Sequence, residues 1–115
     1  MKRLSGKIGI EQGTRVLFSD FANDGAMWAD DGPREVRQAQ VFSEPFAAAP
    51  MVTVSISMWD MDHKTNSRAD ISAENITESG FQIVFRTWKD TRVARIRADW
   101  MALGPVRDDD EWDVV

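Results

Sequence analysis

Residues 91–103 alternate along most of their length. Ala94, Ile96, Ala98, Trp100 and Ala102 fall on one side, and Arg95, Arg97 and Asp99 on the other. Successive side chains point to opposite faces only in extended backbone; a helix would scatter these residues around its axis. The run therefore predicts a strand with one buried face. The run before it, 81–88, puts Phe81, Ile83 and Phe85 on one face in the same way. Residues 51–59 repeat the pattern, with Val52, Val54, Ile56 and Met58 opposed to Thr53, Ser55 and Ser57. Shorter alternation (Ala69, Ile71, Ala73) marks 68–76, and 14–21 and 36–46 read as further strands, the latter ending near Pro45. Residues 24–36 hold two glycines, a proline and four acids, and predict a loop. No segment shows a helical period. Several short strands separated by turn signals predict an all-β sandwich or small barrel. The short connections after residue 51 predict antiparallel pairing between strands adjacent in sequence.

The chain of 115 residues is one domain's worth and long enough to bury a small core. No apolar run is long enough to cross a bilayer, and the basic start "MKRLSGKIGIEQG" is not followed by the apolar block of a signal peptide. No membrane insertion is expected. The formal charge of -5 is unevenly placed: Asp108, Asp109, Asp110, Glu111 and Asp113 account for five of the 19 acids, leaving 14 against 14 basic residues. The reading is a neutral domain over 1–107 and an acidic tail over 108–115, in which Trp112 and Val114 could anchor to a neighbour. A neutral body has no nucleic-acid footprint.

Catalytic chemistry is poorly supplied. With no cysteine, thiolate metal sites and disulfides are excluded. The single histidine, His63, lies in a polar loop. There is no Gly-x-Ser-x-Gly elbow. Asp30, Asp31, Asp60 and Asp62 are loop acids with no sign of the paired geometry a glycosidase needs. The stretch "DMDHKTN" offers oxygen ligands for calcium but lacks the glycine and closing glutamate of an EF-hand loop. The expectation is no catalytic residues, no cofactor and no metal. Asn75-Ile76-Thr77 matches a glycosylation acceptor, which matters only in a secreted chain.

A binding site on loops fits better. At the junction Trp88-Lys89-Asp90-Thr91 an indole stands beside a cation, a carboxylate and a hydroxyl. An apolar plane next to groups that donate and accept is what a sugar requires, because its ring has an apolar face and a rim of hydroxyls. Asp31, Asn66, Arg68, Trp88 and Lys89 together supply a carboxylate, an amide, a guanidinium, an indole and an ammonium. Each also has a plainer reading: Asp31 a turn cap, Asn66 a turn former, Arg68 a surface ion pair, Trp88 a core residue.

Residues 42–104 carry an ordered set of motifs. Phe42-x-x-Pro45-Phe46 is followed by Pro50 and a Val/Ser/Ile strand, then Asp60 and a loop ending in Asn66-x-Arg68. Ile76-Thr77-x-x-Gly80-Phe81, Thr87-Trp88-x-Asp90-Thr91 and Trp100 complete it. In this order the chain resembles the H-type lectin domain, the family of the snail agglutinin and the discoidin C-terminal domain. The resemblance implies a six-stranded antiparallel β-sandwich and a non-enzymatic, homotrimeric or hexameric protein. Its implied partners are glycans ending in galactose or N-acetylgalactosamine. It maps the family's acidic-loop carboxylate onto Asp31 (Asp30 if the loop shifts by one), its arginine and amide onto Arg68 and Asn66, and its tryptophan onto Trp88. Two positions depart from the pattern. Lys89 stands where a histidine is common, and Ala94 where the snail agglutinin has an aromatic. Lysine donates but does not accept, and alanine offers no stacking surface. An alternative is a structural or assembly module that keeps the fold without the sugar site. Arg92, Arg95 and Arg97 fit either an interface between protomers or ion pairs with Asp99 and Asp70 on a solvated face.

Overall fold

A computed structural model describes residues 1–107; the acidic stretch 108–115, with Trp112 and Val114, lies outside the described residues. The elements run β1 (Ile8–Ser19), α1 (Ala26–Ala29), β2 (Arg34–Val41), β3 (Met51–Met61), β4 (Asp70–Glu74), β5 (Gly80–Thr87) and β6 (Val93–Pro105). They form two three-stranded antiparallel sheets, ordered β1-β6-β3 and β2-β5-β4. The expected six-stranded antiparallel sandwich is present. Two expectations need correction. The segment 24–36 contains the single turn α1 and the start of β2, and is not all loop. Nor do the later strands all pair with their sequence neighbours: only β4 and β5 do, while β3 and β6 belong to the other sheet. A short connection does not force a hairpin, because five residues easily span the roughly 10 Å between stacked sheets. The Trp88–Asp90 turn is therefore a crossover between sheets.

The core follows the alternation. Ile96, Ala98 and Ala102 of β6 are fully buried, as are Ile83 and Phe85 of β5. At that degree of burial each large side chain contributes roughly 1.5–3 kcal/mol. Phe42 and Phe46, beyond the end of β2, close one end of the sandwich. Their rings meet at 5.0 Å, and Trp100 stands 5.4 Å from Phe81. Gly13 is paired with Trp100 across β1 and β6, and a Cβ there would lie 2.8 Å from the indole Nε1. In β3 the register shifts between Ile56 and Met58, so the alternation breaks: Met61 rejoins the core, Met58 does not, and Trp59 is largely exposed.

β1 inverts the usual pattern. Its inward positions carry Glu11, Gly13 and Arg15 before Leu17 joins the core, while Ile8, Ile10 and Val16 are about half exposed or more. The inward polar groups seal the side of the sandwich. Arg15 Nη1 donates to the Ala39 carbonyl at 2.7 Å, Gln38 Nε2 to the Leu17 carbonyl at 3.1 Å, and the Ser43 hydroxyl to Glu11 at 2.6 Å. The opposite end from Phe42 and Phe46 gathers the connections 20–33, 62–69 and 88–92, and all the candidate site residues lie there.

Candidate functional site

Three loop segments meet at this end, and buried polar side chains fasten their backbones together. Thr87 and Thr91, both fully buried, donate to the carbonyls of Arg68 and Asn66, each at 2.6 Å. These two bonds lay the 66–68 segment along the β5–β6 crossover. The third segment is held by Arg34, the first residue of β2, which is 9% exposed. Its guanidinium donates to the carbonyls of Gly32 (2.8 Å), Met27 (3.0 Å) and Lys89 (3.1 Å). The Gly32 N–H adds a bond to the same Lys89 carbonyl at 2.8 Å. Burial lowers the Arg34 pKa, and the nearby carboxylates of Asp31 and Asp30 act against that shift. Asp20 fixes the start of the segment: its carboxylate accepts from the Met27 N–H at 3.1 Å.

All five residues named from the sequence lie on these three segments. Asp31 and Asn66 are exposed; Asn66 contributes its carbonyl to the frame and leaves its side-chain amide outside it. The Arg68 side chain is half-buried, and its Nη1 pairs with the Asp90 carboxylate and reaches Thr91 Oγ1 at 3.4 Å. Among the described residues its Nε and Nη2 have no partner, so the guanidinium is oriented with donors to spare. The hydrogen bond from Arg68 holds the Asp90 carboxyl below its usual range. Lys89 adopts the left-handed φ of 59°, so its carbonyl turns to Arg34 and Gly32 while its side chain is exposed.

Trp88 is 39% exposed, which removes the core reading. Its indole lines a shallow groove of about 390 Å³ with Pro33, Arg34, Glu35, Arg86 and Thr87. Asp31, Asn66 and Arg68 do not line that groove. The backbone thus brings all five residues to one end, with the indole facing its own concavity. Ala94 is buried, in the wall of a different groove.

Among the described residues no group of three or more His, Cys, Asp or Glu could hold a metal ion. No helix there is long and apolar enough to cross a membrane. Sequence reading missed Arg34 as a positioning residue. Its only signal was a basic residue just after two loop acids, which looks the same as a surface ion pair.

The fold is an antiparallel β-sandwich that gathers the candidate residues on one set of connections. The family model for the H-type lectin domain matches residues 37–103, more than half of the chain. The chain belongs to the H-type lectin domain family and is a carbohydrate-binding lectin domain. It is 63% identical over 114 residues to a Fuscovulum blasticum protein called ATP synthase subunits region ORF 7, covering 99% of each. It is 36% identical over 91 residues to a discoidin-1 polypeptide of Dictyostelium discoideum, covering 77% of this chain and 36% of that one. The chain thus spans about a third of that discoidin-1 polypeptide. In three dimensions it is similar to discoidin II of the same organism, with a TM-score of 0.76 at 20% identity, over 90% of this chain and 40% of that one.

Proposed function

We propose that the domain binds sugars of the galactose or N-acetylgalactosamine type through Asp31, Asn66, Arg68, Trp88 and Lys89, without catalysis, as a homotrimer or hexamer. The observation that carries this reading is the Arg68 guanidinium. It is locked by Asp90 and Thr91 and keeps Nε and Nη2 unused at the exposed loop end. A preset planar donor suits vicinal hydroxyls and ring oxygen. Lys89 adds a mobile donor and Asp31 an acceptor, while Trp88 supplies the apolar face. We take 1–107 as the domain and 108–115 as an acidic tail.

Self-association is supported by the outer face of the β1-β6-β3 sheet. Ile8, Ile10, Met51 and Met101 are exposed there, and the register puts Ile10, Leu103 and Met51 in one row. A contiguous exposed apolar patch marks an interaction surface. Repeating a weak site in one particle raises apparent affinity by roughly 10²–10⁴-fold when the geometry permits. The same stripe also favours the second reading, an assembly module without sugar binding.

A glycan array on the intact protein tests the proposal, paired with sizing by light scattering. The expected result is binding to galactose-type glycans by an oligomer, lost in Arg68→Ala with the oligomer retained. An oligomer that binds no glycan would select the assembly reading.

A further inference from the structure

A second concavity opens at the same end, with Trp28 of α1 in its wall. It encloses about 650 Å³ and includes Phe21, Trp28, Asp60, Lys64, Ala94 and Arg95 in its lining. The rings of Phe21 and Trp28 meet edge to face, 4.9 Å between centroids and 77° between planes. Phe21 is nevertheless 61% exposed. The exposed Phe21 ring and the half-buried Trp28 ring form an apolar corner that stays open among the described residues. Ala94 leaves room beside it. Asp60, Lys64 and Arg95 are exposed, and among the described residues their side chains make no hydrogen bond or ion pair.

Charge narrows the choice of ligand. Asp60 and Asp62 are balanced by Lys64 and Arg95, so the groove has no net sign to attract an anion or a cation. It offers apolar planes, acceptors and donors together, which is the chemistry of a neutral polyhydroxylated ring. Position links it to the candidate site. Trp28 and Asp31 are three residues apart and Lys64 and Asn66 two, so at roughly 3.3–3.6 Å per residue each pair lies within about 11 Å along the chain. Arg92 ties the two regions, donating from Nη1 to the Trp28 carbonyl at 3.1 Å while its N–H meets Thr65 Oγ1 at 3.4 Å.

We infer that the Phe21–Trp28 groove is a second subsite that takes the next neutral hexose of a glycan whose terminal unit occupies the candidate site. The inference rests on the sugar-binding reading and extends it: the domain reads an oligosaccharide, and Phe21 and Asp60 set the preference beyond the terminal unit.

The test is titration calorimetry of the intact protein with galactose, with N-acetylgalactosamine and with trisaccharides ending in each. Wild type, Phe21→Ala and Asp60→Asn are compared. Both substitutions are at exposed positions, so the fold is expected to persist. The expected result is a trisaccharide affinity about tenfold above that of the monosaccharide, the scale of one aromatic contact. That gain is lost in Phe21→Ala and reduced in Asp60→Asn, with monosaccharide affinity unchanged. Monosaccharide binding with no trisaccharide gain in wild type overturns the subsite and leaves the sugar reading standing. So does a gain that survives Phe21→Ala. Absence of binding to every sugar overturns both.

Discussion

Arg34 Nη2 donates to the backbone carbonyl of Lys89 at 3.1 Å, across 55 residues of sequence. The bond joins the first residue of β2 to the turn between β5 and β6. Arg34 reaches two further carbonyls, so one side chain sets where the acidic loop stands relative to Trp88 and Lys89. Arg34→Ala is expected to leave the Met27 and Gly32 carbonyls without this donor, while the Lys89 carbonyl keeps the Gly32 N–H, and to cost about 1–3 kcal/mol. Arg34→Lys recovers only part, because an ammonium lacks the planar fork. Thermal melts measure the stability, and calorimetry with a monosaccharide should show a weakened site in both variants. A wild-type affinity in Arg34→Ala would mean that the acidic loop does not need this anchor.

The two threonines of the crossover differ in consequence. Thr87→Val removes one buried hydroxyl and leaves the Arg68 carbonyl without its donor, a loss of about 1–3 kcal/mol. Thr91→Val removes the bond to Asn66 and the contact to Arg68 Nη1. It is expected to lower sugar affinity more than Thr87→Val at similar stability loss. Thr91→Ser, which keeps the hydroxyl, should restore binding. Equal binding by all three would show that the hydroxyls matter for stability alone.

Asp90→Asn separates orientation from stability. The Arg68–Asp90 pair is partly exposed and screened by water, so its removal should change stability little. Binding should fall further, by about tenfold, because the guanidinium loses the partner that aims it. Urea melts and calorimetry on the same samples give both numbers, and a large stability loss with intact binding would contradict this role.

Gly13→Ala tests the close approach of β1 to Trp100. The added Cβ would sit 2.8 Å from the indole nitrogen, so the indole must move within a closed aromatic cluster. Overpacking of this kind costs about 1–3 kcal/mol. Trp100→Phe in the same chain should recover part of the loss, and a double variant less stable than the sum of the singles would refute steric conflict as the cause.

Acid sensitivity has a defined sign. Hydrogen bonds from Arg86, Ser72 and Arg37 bring the Glu74 carboxyl from 4.5 down to about 2. A depressed carboxyl stabilises the folded state fully above 4.5, and that contribution disappears as the pH falls toward about 2. Denaturant melts across this window should show a shallower pH dependence for Glu74→Gln than for wild type. An unchanged slope would mean that the surface network of Glu35, Arg37, Glu74 and Arg86 does not contribute in solution.

Most of the sheet framework was legible because β5, β6 and the first half of β3 turn every second residue to the core, and that imposes a period of two. The first half of β1 was not legible, because Ile8 and Ile10 point outward and the inward Gly9, Glu11 and Gly13 offer no apolar face; only Leu17 and Phe18, near its end, reach the core. The pairing of strands was also hidden. Loop length bounds the distance a connection spans and leaves open whether the next strand joins the same sheet. In the candidate site, the side chains of Asp31, Asn66, Arg68, Trp88 and Lys89 were readable as chemistry, and the fold brings all five to one end. The frame beneath them was not. Arg34, Thr87 and Thr91 act on backbone carbonyls, and a carbonyl leaves no mark on sequence.

That choice of partner has a consequence for how this loop end changes over generations. Each fastening point grips main chain, which every residue possesses. Side chains at positions 31 and 66 can therefore be exchanged without loosening the frame that presents them, whereas position 89 must also tolerate a left-handed φ. Selection, or an engineer, can retune what the loops recognise at those positions while Arg34, Thr87 and Thr91 stay fixed.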